Sequence, residues 1–299
     1  MKLATIDIGS NAARLLISEV YEEGEKVDIR KASLVRVPLR LGFDVFEKRR
    51  LSDDKVKDLR HTMQAYSHLI EAHRVIGYKA CATSAIRAAE NGPKLIEQIE
   101  SLTGLKIEVI EGEKEARIIY AAHLARHYHH HRKYLYIDVG GGSTEVTLFA
   151  DNAFLESRSF DIGTIRMLKG SVDPDEWIRM ERWIKTMATP HKNIQAIGTG
   201  GNINKLHKLS SKKADVPLTL EYLEEQRAYI ASFSFEERIH KLKLRADRAD
   251  VIVPACDIYL FVLRKAGIRH ISVPRIGLVD GLAYLLYERH VNGQQVELI

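Results

Sequence analysis

The stretch Tyr134–Phe149, YLYIDVGGGSTEVTLF, carries an apolar run to one carboxylate, Asp138, and then breaks into three consecutive glycines. It reads as strand, tight loop, strand. Leu135, Ile137 and Val139 bring the chain to the loop as apolar and β-branched residues. Gly140, Gly141 and Gly142 let the backbone turn and approach a ligand with its N–H groups pointing outward, and Ser143 and Thr144 add hydroxyl donors. A loop of this composition is a phosphate cradle. Asp138 repels a phosphate, so its expected work is on a metal ion or a water beside one.

Working outward, the same design stands at the N-terminus, where residues 3–14 read LATIDIGSNAAR ahead of an apolar strand over Leu15–Val20. Ile6-Asp7-Ile8-Gly9 and Ile137-Asp138-Val139-Gly140 are near copies. Each is followed by a second strand, a turn (Glu22–Lys26; Asp151–Ala153) and a third strand (Val27–Val37; Phe154–Phe160). The repeat predicts an α/β protein with two domains of one topology, residues 1–125 and 126–299, each aiming an Asp and a Gly-bearing turn at a shared cleft. The closing helix near 280–299 is free to pack back on the first domain.

Composition narrows the function classes. At 299 residues, 45% hydrophobic and 28% charged, the chain is globular and long enough for two cores. Its net charge of +5 is too mild to demand nucleic acid, the basic residues are scattered, and no aromatic stacking pattern accompanies them. No nucleic-acid partner is expected. Cys81 and Cys256 lie in apolar segments without metal-type spacing and read as free thiols of a reducing compartment. Asp7 interrupts the N-terminal apolar run too early for a signal peptide, and no stretch approaches a spanning helix. The reading is cytoplasmic, with no membrane partner; a homodimer stays open.

Between the two hairpins, Ser52-Asp53-Asp54 looks like a helix start, with the helix running to about His73, and Val75–Ala82 is a buried strand. It enters Thr83-Ser84-Ala85-Ile86-Arg87, where a hydroxyl can cap the next helix and Arg87 sets a guanidinium beside a strand end. Asn91-Gly92-Pro93 breaks that helix and starts another, which ends at Gly104 before a strand over Lys106–Ile110. The following helix separates two glutamates by spacing. Glu113 can pair with Arg117 on an exposed face. Glu115 lies three, four and seven residues before Ile118, Ile119 and Ala122 and so faces inward, where partial desolvation raises its pKa and makes it a candidate general base. The competing reading is a first-turn Glu favoured by the helix dipole.

His127–His131 reads as a solvated linker, because adjacent positions on a polar loop do not present a tetrahedral metal set. Asp161-Ile162-Gly163-Thr164-Ile165-Arg166 opens a helix whose Arg166 could reach phosphate. Pro174 starts a helix through about Ala188. Asn193–Ile197 then enters Gly198-Thr199-Gly200-Gly201-Asn202, a further glycine-rich turn at a strand end, with Lys205, Lys208, Lys212 and Lys213 behind it. Pro254 falls inside a helical pattern and predicts a kink. Arg269–Val273 reads as a last strand and Gly277–His290 as an amphipathic closing helix.

Taken together, IDIGSNAARLLI, ATSAIR, EVIEGEKEARIIY, YIDVGGGSTE, DIGTIR, IGTGGNI and RADVIVP resemble, in that order, the exopolyphosphatase/guanosine-pentaphosphate phosphohydrolase (Ppx/GppA) family, from Ile6 to about Tyr287. The resemblance implies two ribonuclease H-like domains of the actin-like ATPase superfamily, with a cleft between them. It further implies Mg²⁺-dependent attack of water on a terminal phosphoanhydride of polyphosphate or guanosine pentaphosphate. It places the catalytic glutamate on Glu115 and the phosphate-contacting arginine on Arg87. The first phosphate loop falls on Asp7, Gly9, Ser10, Asn11 and Arg14, and the second on Asp138, Gly140, Gly141, Gly142, Ser143, Thr144 and Glu145. Mg²⁺ is then expected near Asp7, Asp138 and Glu145, and Gly200 and Gly201 join the phosphate-binding set. The chain departs from the family at Val279, where a basic residue is usual, and it ends without the extra helical domains of the long members. Two other readings stay open: an actin-fold small-molecule kinase, and a module that binds guanosine tetraphosphate or pentaphosphate without hydrolysing it.

Overall fold

A computed structural model describes residues 1–24, 26–126, 133–150, 153–188, 191 and 193–293, with the side chains of 26 and 121–126 left aside. The His127–His131 run and the expected turn at Asp151 lie outside the described residues. Two compact units divide the chain, Met1–Arg126 together with Gly277–Ile299, and His127–Ile276.

The first unit holds β1 (Lys2–Ile8), β2 (Ala13–Glu23), β3 (Lys26–Val37), α1 (Gly42–Lys48), α2 (Asp53–Ala72), β4 (Gly77–Ala82), α3 (Ser84–Ala88), α4 (Gly92–Thr103), β5 (Ile107–Val109) and α5 (Gly112–Arg126). The second holds β6 (Lys133–Val139), β7 (Thr144–Ala150), β8 (Ala153–Phe160), α6 (Thr164–Leu168), α7 (Pro174–Ala188), β9 (Ile194–Thr199), α8 (Gly201–Leu209), β10 (Leu218–Thr219), α9 (Leu220–Ala231), α10 (Phe235–His240), α11 (Ala246–Ala249), α12 (Ile252–Ala266) and β11 (His270–Ser272). Helix α13 (Leu278–Val291) returns to the first unit.

Each unit is built on a hairpin meander extended by parallel strands. The sheet orders are β3-β2-β1-β4-β5 and β10-β11-β9-β6-β7-β8. In both, the first three strands run antiparallel to one another in sequence, and the later strands β4 and β5, or β9 and β11, run parallel to the first. Counted within each unit, the order is third, second, first, fourth, fifth. The second unit adds only the two-residue β10. This repeated order is the ribonuclease H-like arrangement.

Strands covered on both faces read as continuous apolar runs rather than as alternations, which is why Leu15, Leu16 and Ile17 are all buried. In the second unit Leu135, Ile137, Val146 and Leu148 share a core with Met180, Trp183 and Ile184 of α7 and with Ile258, Tyr259 and Val262 of α12.

Two local expectations need correction. Thr83 precedes α3 but makes no side-chain cap, and the neighbouring Ser84 hydroxyl is shared with Ser10, 2.8 Å away. Pro254 kinks nothing. The chain is already broken between α11 and α12, so the proline falls in the first turn of α12, where no N–H is needed from it. Residues from Gly277 onward belong to the first compact unit, the packing back that the sequence left open for the closing helix.

The return of α13 is held by three elements. Thr5 Oγ1 of β1 donates to the Val279 carbonyl at 2.9 Å, Lys31 of β3 pairs with the buried Asp280 at 2.8 Å, and Gly281 lies on the backbone of α5. A Cβ at Gly281 would overlap the Ile118 carbonyl oxygen, which belongs to rigid helix backbone. Gly281→Ala is therefore expected to destabilise by about 2–3 kcal/mol, an overpacking cost without room to relax. Urea unfolding would read it as a lower midpoint at unchanged slope. Gly277→Ala, whose Cβ would meet only the Asp280 carboxylate at 4.0 Å, is the comparison expected to cost less.

Candidate active site

In the first unit the loop between β1 and β2 closes by Gly9 N–H donating to Ala12 C=O at 3.1 Å, and the loop between β6 and β7 closes by Gly140 N–H donating to Ser143 C=O at 2.9 Å. The two turns are built alike, and both have their carbonyls anchored from behind. Gly42 N–H reaches the Ser10 carbonyl at 2.9 Å and Arg40 N–H the Asn11 carbonyl at 3.0 Å. Behind the second loop, Thr164 N–H reaches Gly140 C=O at 3.1 Å, Ile165 N–H reaches Gly141 C=O at 2.8 Å, and Arg166 Nε reaches Gly142 C=O at 2.7 Å. The first turn of a helix offers N–H groups without intrahelical partners, and α6 gives its own to the loop carbonyls. Among the described residues, the amides of Gly141, Gly142 and Ser143 donate to no backbone carbonyl. All three residues are buried, and buried N–H groups require an acceptor.

Gly163 makes this grip possible. A Cβ there would sit 2.5 Å from the Gly141 carbonyl group and from the carbonyl carbon of Gly142. Arg166, expected to reach phosphate, has its guanidinium engaged by the Gly142 carbonyl and by Asp161 at 3.1 Å, so its work is bracing the loop. Thr144, expected as a phosphate donor, is fully buried and gives its hydroxyl to the Ile162 carbonyl at 2.6 Å. Both departures have one cause. The loop needs support from behind before it can present amides in front.

A carboxylate stands at the entry to each turn. Asp138 and Glu145 are direct cross-strand partners of β6 and β7, so their side chains leave the same face. Asp138 is half-buried; Glu145 is buried and accepts from Ser159 Oγ at 2.8 Å. Gly200, at φ +100° in a region open to glycine, brings its backbone against Asp138, since a Cβ there would lie 3.0 Å from Asp138 Oδ1 and 3.8 Å from the Tyr259 hydroxyl. Tyr259 of α12 is fully buried and donates to the Thr199 carbonyl. Burial and the nearby Asp138 charge push its phenol well above the ordinary range, which keeps it a neutral donor. Gly201 starts α8, and Arg248 donates to its carbonyl.

In the first unit Asp7 is 4% exposed and is met by Arg14 Nη1 at 2.5 Å. Burial pushes the Asp7 carboxyl upward, and the Arg14 guanidinium opposes part of that rise. Arg87 donates to the Ile110 carbonyl at 2.5 Å and pairs with Glu111 at 3.3 Å. Glu115 lies one helical turn beyond Glu111, its N–H bonded to the Glu111 carbonyl at 3.0 Å, and is half-buried while Glu113 is exposed and paired with Arg117 at 2.9 Å. The segment leading into α5 thus fixes Arg87, and Glu115 stands in the first turn of the helix. Among the described residues, no three His, Cys, Asp or Glu side chains assemble as a metal set, and no helix is long and apolar enough to cross a membrane.

A family model for the Ppx/GppA phosphatases matches residues 23–290. The chain belongs to the Ppx/GppA phosphatase family. Exopolyphosphatase 1 of Mycobacterium tuberculosis is 22% identical over 313 residues, covering 98% of this chain and 90% of that protein. A bifunctional 3-dehydroquinate synthase/phosphatase of Fusobacterium nucleatum is 24% identical over 258 residues, which cover 81% of this chain and 38% of that longer protein. The solved structure of the Aquifex aeolicus family member superposes with a TM-score of 0.77 at 25% identity, over 97% of this chain and 98% of that one. Family membership was carried in the sequence by the ordered set of seven motifs. Four residues that shape the site, Ser84, Gly163, Ser159 and Tyr259, carried no signal of their own. Ser84 and Gly163 stood in motifs, ATSAIR and DIGTIR, and in each the arginine drew the functional reading.

Proposed function

We propose that this chain is a phosphoanhydride hydrolase that releases terminal orthophosphate from inorganic polyphosphate, guanosine pentaphosphate or both. The observation that carries this reading is the loop at 140–143, with its carbonyls held by α6 and its buried amides presented without a backbone acceptor. Successive backbone amides in a turn of this kind form an anion-binding concavity, which suits a terminal phosphate. The relation to a mycobacterial exopolyphosphatase supports a polyphosphate, and nothing in the loop discriminates against a terminal phosphate borne by guanosine.

In this reading the amides of Gly141, Gly142 and Ser143 hold the anionic oxygens, and Gly9, Ser10, Asn11 and Arg14 do the same in the first hairpin. Arg87, steadied by Ile110 and Glu111, adds a fixed positive charge where negative charge develops. Glu115 orients the attacking water and takes its proton. Phosphoryl transfer needs little covalent help, so positioning and charge neutralisation supply most of the rate. The adjacent Asp138 and Glu145 fit Mg²⁺, a hard cation that takes one or two carboxylates and keeps its remaining places for water and phosphate oxygens. Bound there, it would neutralise phosphate charge.

The test is orthophosphate release by the purified chain with Mg²⁺, comparing tripolyphosphate, long-chain polyphosphate and guanosine pentaphosphate. Release from at least one, abolished by chelation, is the expected result. Binding of guanosine pentaphosphate by calorimetry with no release from any of the three would overturn the hydrolase in favour of a sensor.

A further inference from the structure

Thr199 closes β9 beside Asp138. The two are partners in the parallel register of β9 and β6, so their side chains leave the same face of the sheet. Thr199 is 1% exposed, and its carbonyl accepts the Tyr259 hydroxyl. Its own hydroxyl meets no hydrogen-bond partner among the described residues. The other threonines buried to this degree are all satisfied. Thr5 donates to the Val279 carbonyl at 2.9 Å, Thr144 to the Ile162 carbonyl at 2.6 Å and Thr164 to the Gly140 carbonyl at 3.3 Å, while Thr147 shares a 2.6 Å bond with Ser157. Packing does not ask for a hydroxyl at 199, because valine has the same outline. A buried polar group with its hydrogen bond unmade is destabilising, and an ordered water removes that penalty.

We infer that Thr199 is a positioning residue for Asp138: its hydroxyl holds an ordered water against the Asp138 carboxylate and so fixes the direction in which that carboxylate points. The inference rests on the hydrolase reading above, in which Asp138 takes Mg²⁺. Neighbouring strands lie about 4.8 Å apart, which sets hydroxyl and carboxylate within reach of one bridging water. Bonded to both, that water has the two polar partners a buried site must offer. The next residue supplies no side chain for this work, since it is Gly200, whose backbone stands so close that a Cβ would lie 3.0 Å from Asp138 Oδ1. The Tyr259 hydroxyl donates to the Thr199 carbonyl, so it steadies the backbone that carries Thr199. Carboxylates that ligate a metal are themselves held by hydrogen bonds, and removing such a partner lowers metal affinity by about 10- to 100-fold.

The experiment compares Thr199→Val and Thr199→Ser with the unaltered full chain. Mn²⁺ affinity is read from the loss of its free-ion electron paramagnetic resonance signal, and stability from urea unfolding. Thr199→Val keeps the shape and loses the hydroxyl; it is expected to weaken Mn²⁺ about tenfold with an unfolding midpoint no lower than before. Thr199→Ser keeps the hydroxyl and is expected to stay within twofold in Mn²⁺ affinity. A merely structural threonine would give the opposite order, since serine gives up the packed methyl and valine does not. Should Thr199→Val not fold, Thr199→Ser against Thr199→Ala gives the same contrast, as those two differ only by the hydroxyl. Mn²⁺ affinity in Thr199→Val within twofold of the unaltered chain, an equal loss in Thr199→Val and Thr199→Ser, or no Mn²⁺ bound by the unaltered chain would each overturn the inference. Mn²⁺ affinities that follow the hydroxyl, with no orthophosphate released by the unaltered chain, would instead sink the hydrolase reading alone.

Discussion

Replacing Glu115 with glutamine is expected to slow orthophosphate release by about 100-fold or more, roughly 2.7 kcal/mol on the barrier, while the unfolding midpoint stays where it was. The amide matches the carboxylate in size, so the half-buried site on α5 keeps its packing. What disappears is the ability to accept a proton. Loss should therefore fall on kcat with KM nearly constant, the signature of an interaction made only in the transition state. Glu113→Gln is the control, since Glu113 is exposed and its pair with Arg117 is an i,i+4 surface pair worth about half a kcal/mol or less. Full activity in Glu115→Gln would remove Glu115 from the chemistry.

Gly163→Ala is expected to cost about 3 kcal/mol of stability, at the top of the usual overpacking range, and to reduce orthophosphate affinity at least tenfold in the molecules that remain folded. The backbone of Gly163 is extended, with φ −142°, so an alanine meets no torsional strain there. The cost is wholly one of space. A Cβ 2.5 Å from the peptides of Gly141 and Gly142 must push α6 away from the loop, and the bonds from Thr164, Ile165 and Arg166 to three successive carbonyls lengthen together. The amides in front then lose their aim. Urea unfolding gives the first effect, and calorimetry with orthophosphate well below the unfolding midpoint gives the second. Unchanged phosphate affinity alongside a lowered midpoint would mean that the loop presents its amides without help from α6.

These two predictions differ in how visible they were along the chain. The half-burial of Glu115 could be read from helical spacing, because the residues that decide it, Ile118 and Ile119, are its own neighbours on α5, while its role as a base came only from the resemblance. Both hairpins could be found for the same reason, as each needs only strand, glycine and strand in succession. The repeated sheet order followed once the repeat was noticed. Ser84 bonding Ser10 across 74 residues, Tyr259 reaching Thr199 across 60, and Thr5 reaching Val279 across 274 leave no local pattern, since the residues between them carry no trace of the contact. Arg166 was misread for a related reason. An arginine after a glycine and a threonine looks the same whether its guanidinium faces a phosphate or a carbonyl behind the loop, and only the placement of Gly142 and Asp161 decides. The ion pair of Asp7 with Arg14 needed a register that seven residues of sequence do not state.

The return of α13 to the first unit bears on the order in which this chain can mature on the ribosome. The first unit is discontinuous, and the helix that covers its β1 and locks against α5 is made only after residues 127–276. At about 5–20 residues per second, that interval is on the order of ten seconds. Throughout it, Leu3, Ile118 and the β1 face lack the apolar cover that Leu282 and Leu286 later bring. The unit encoded in one uninterrupted run, residues 127–276, can reach its native core first although it leaves the ribosome second. The N-terminal unit completes its core only when α13 arrives.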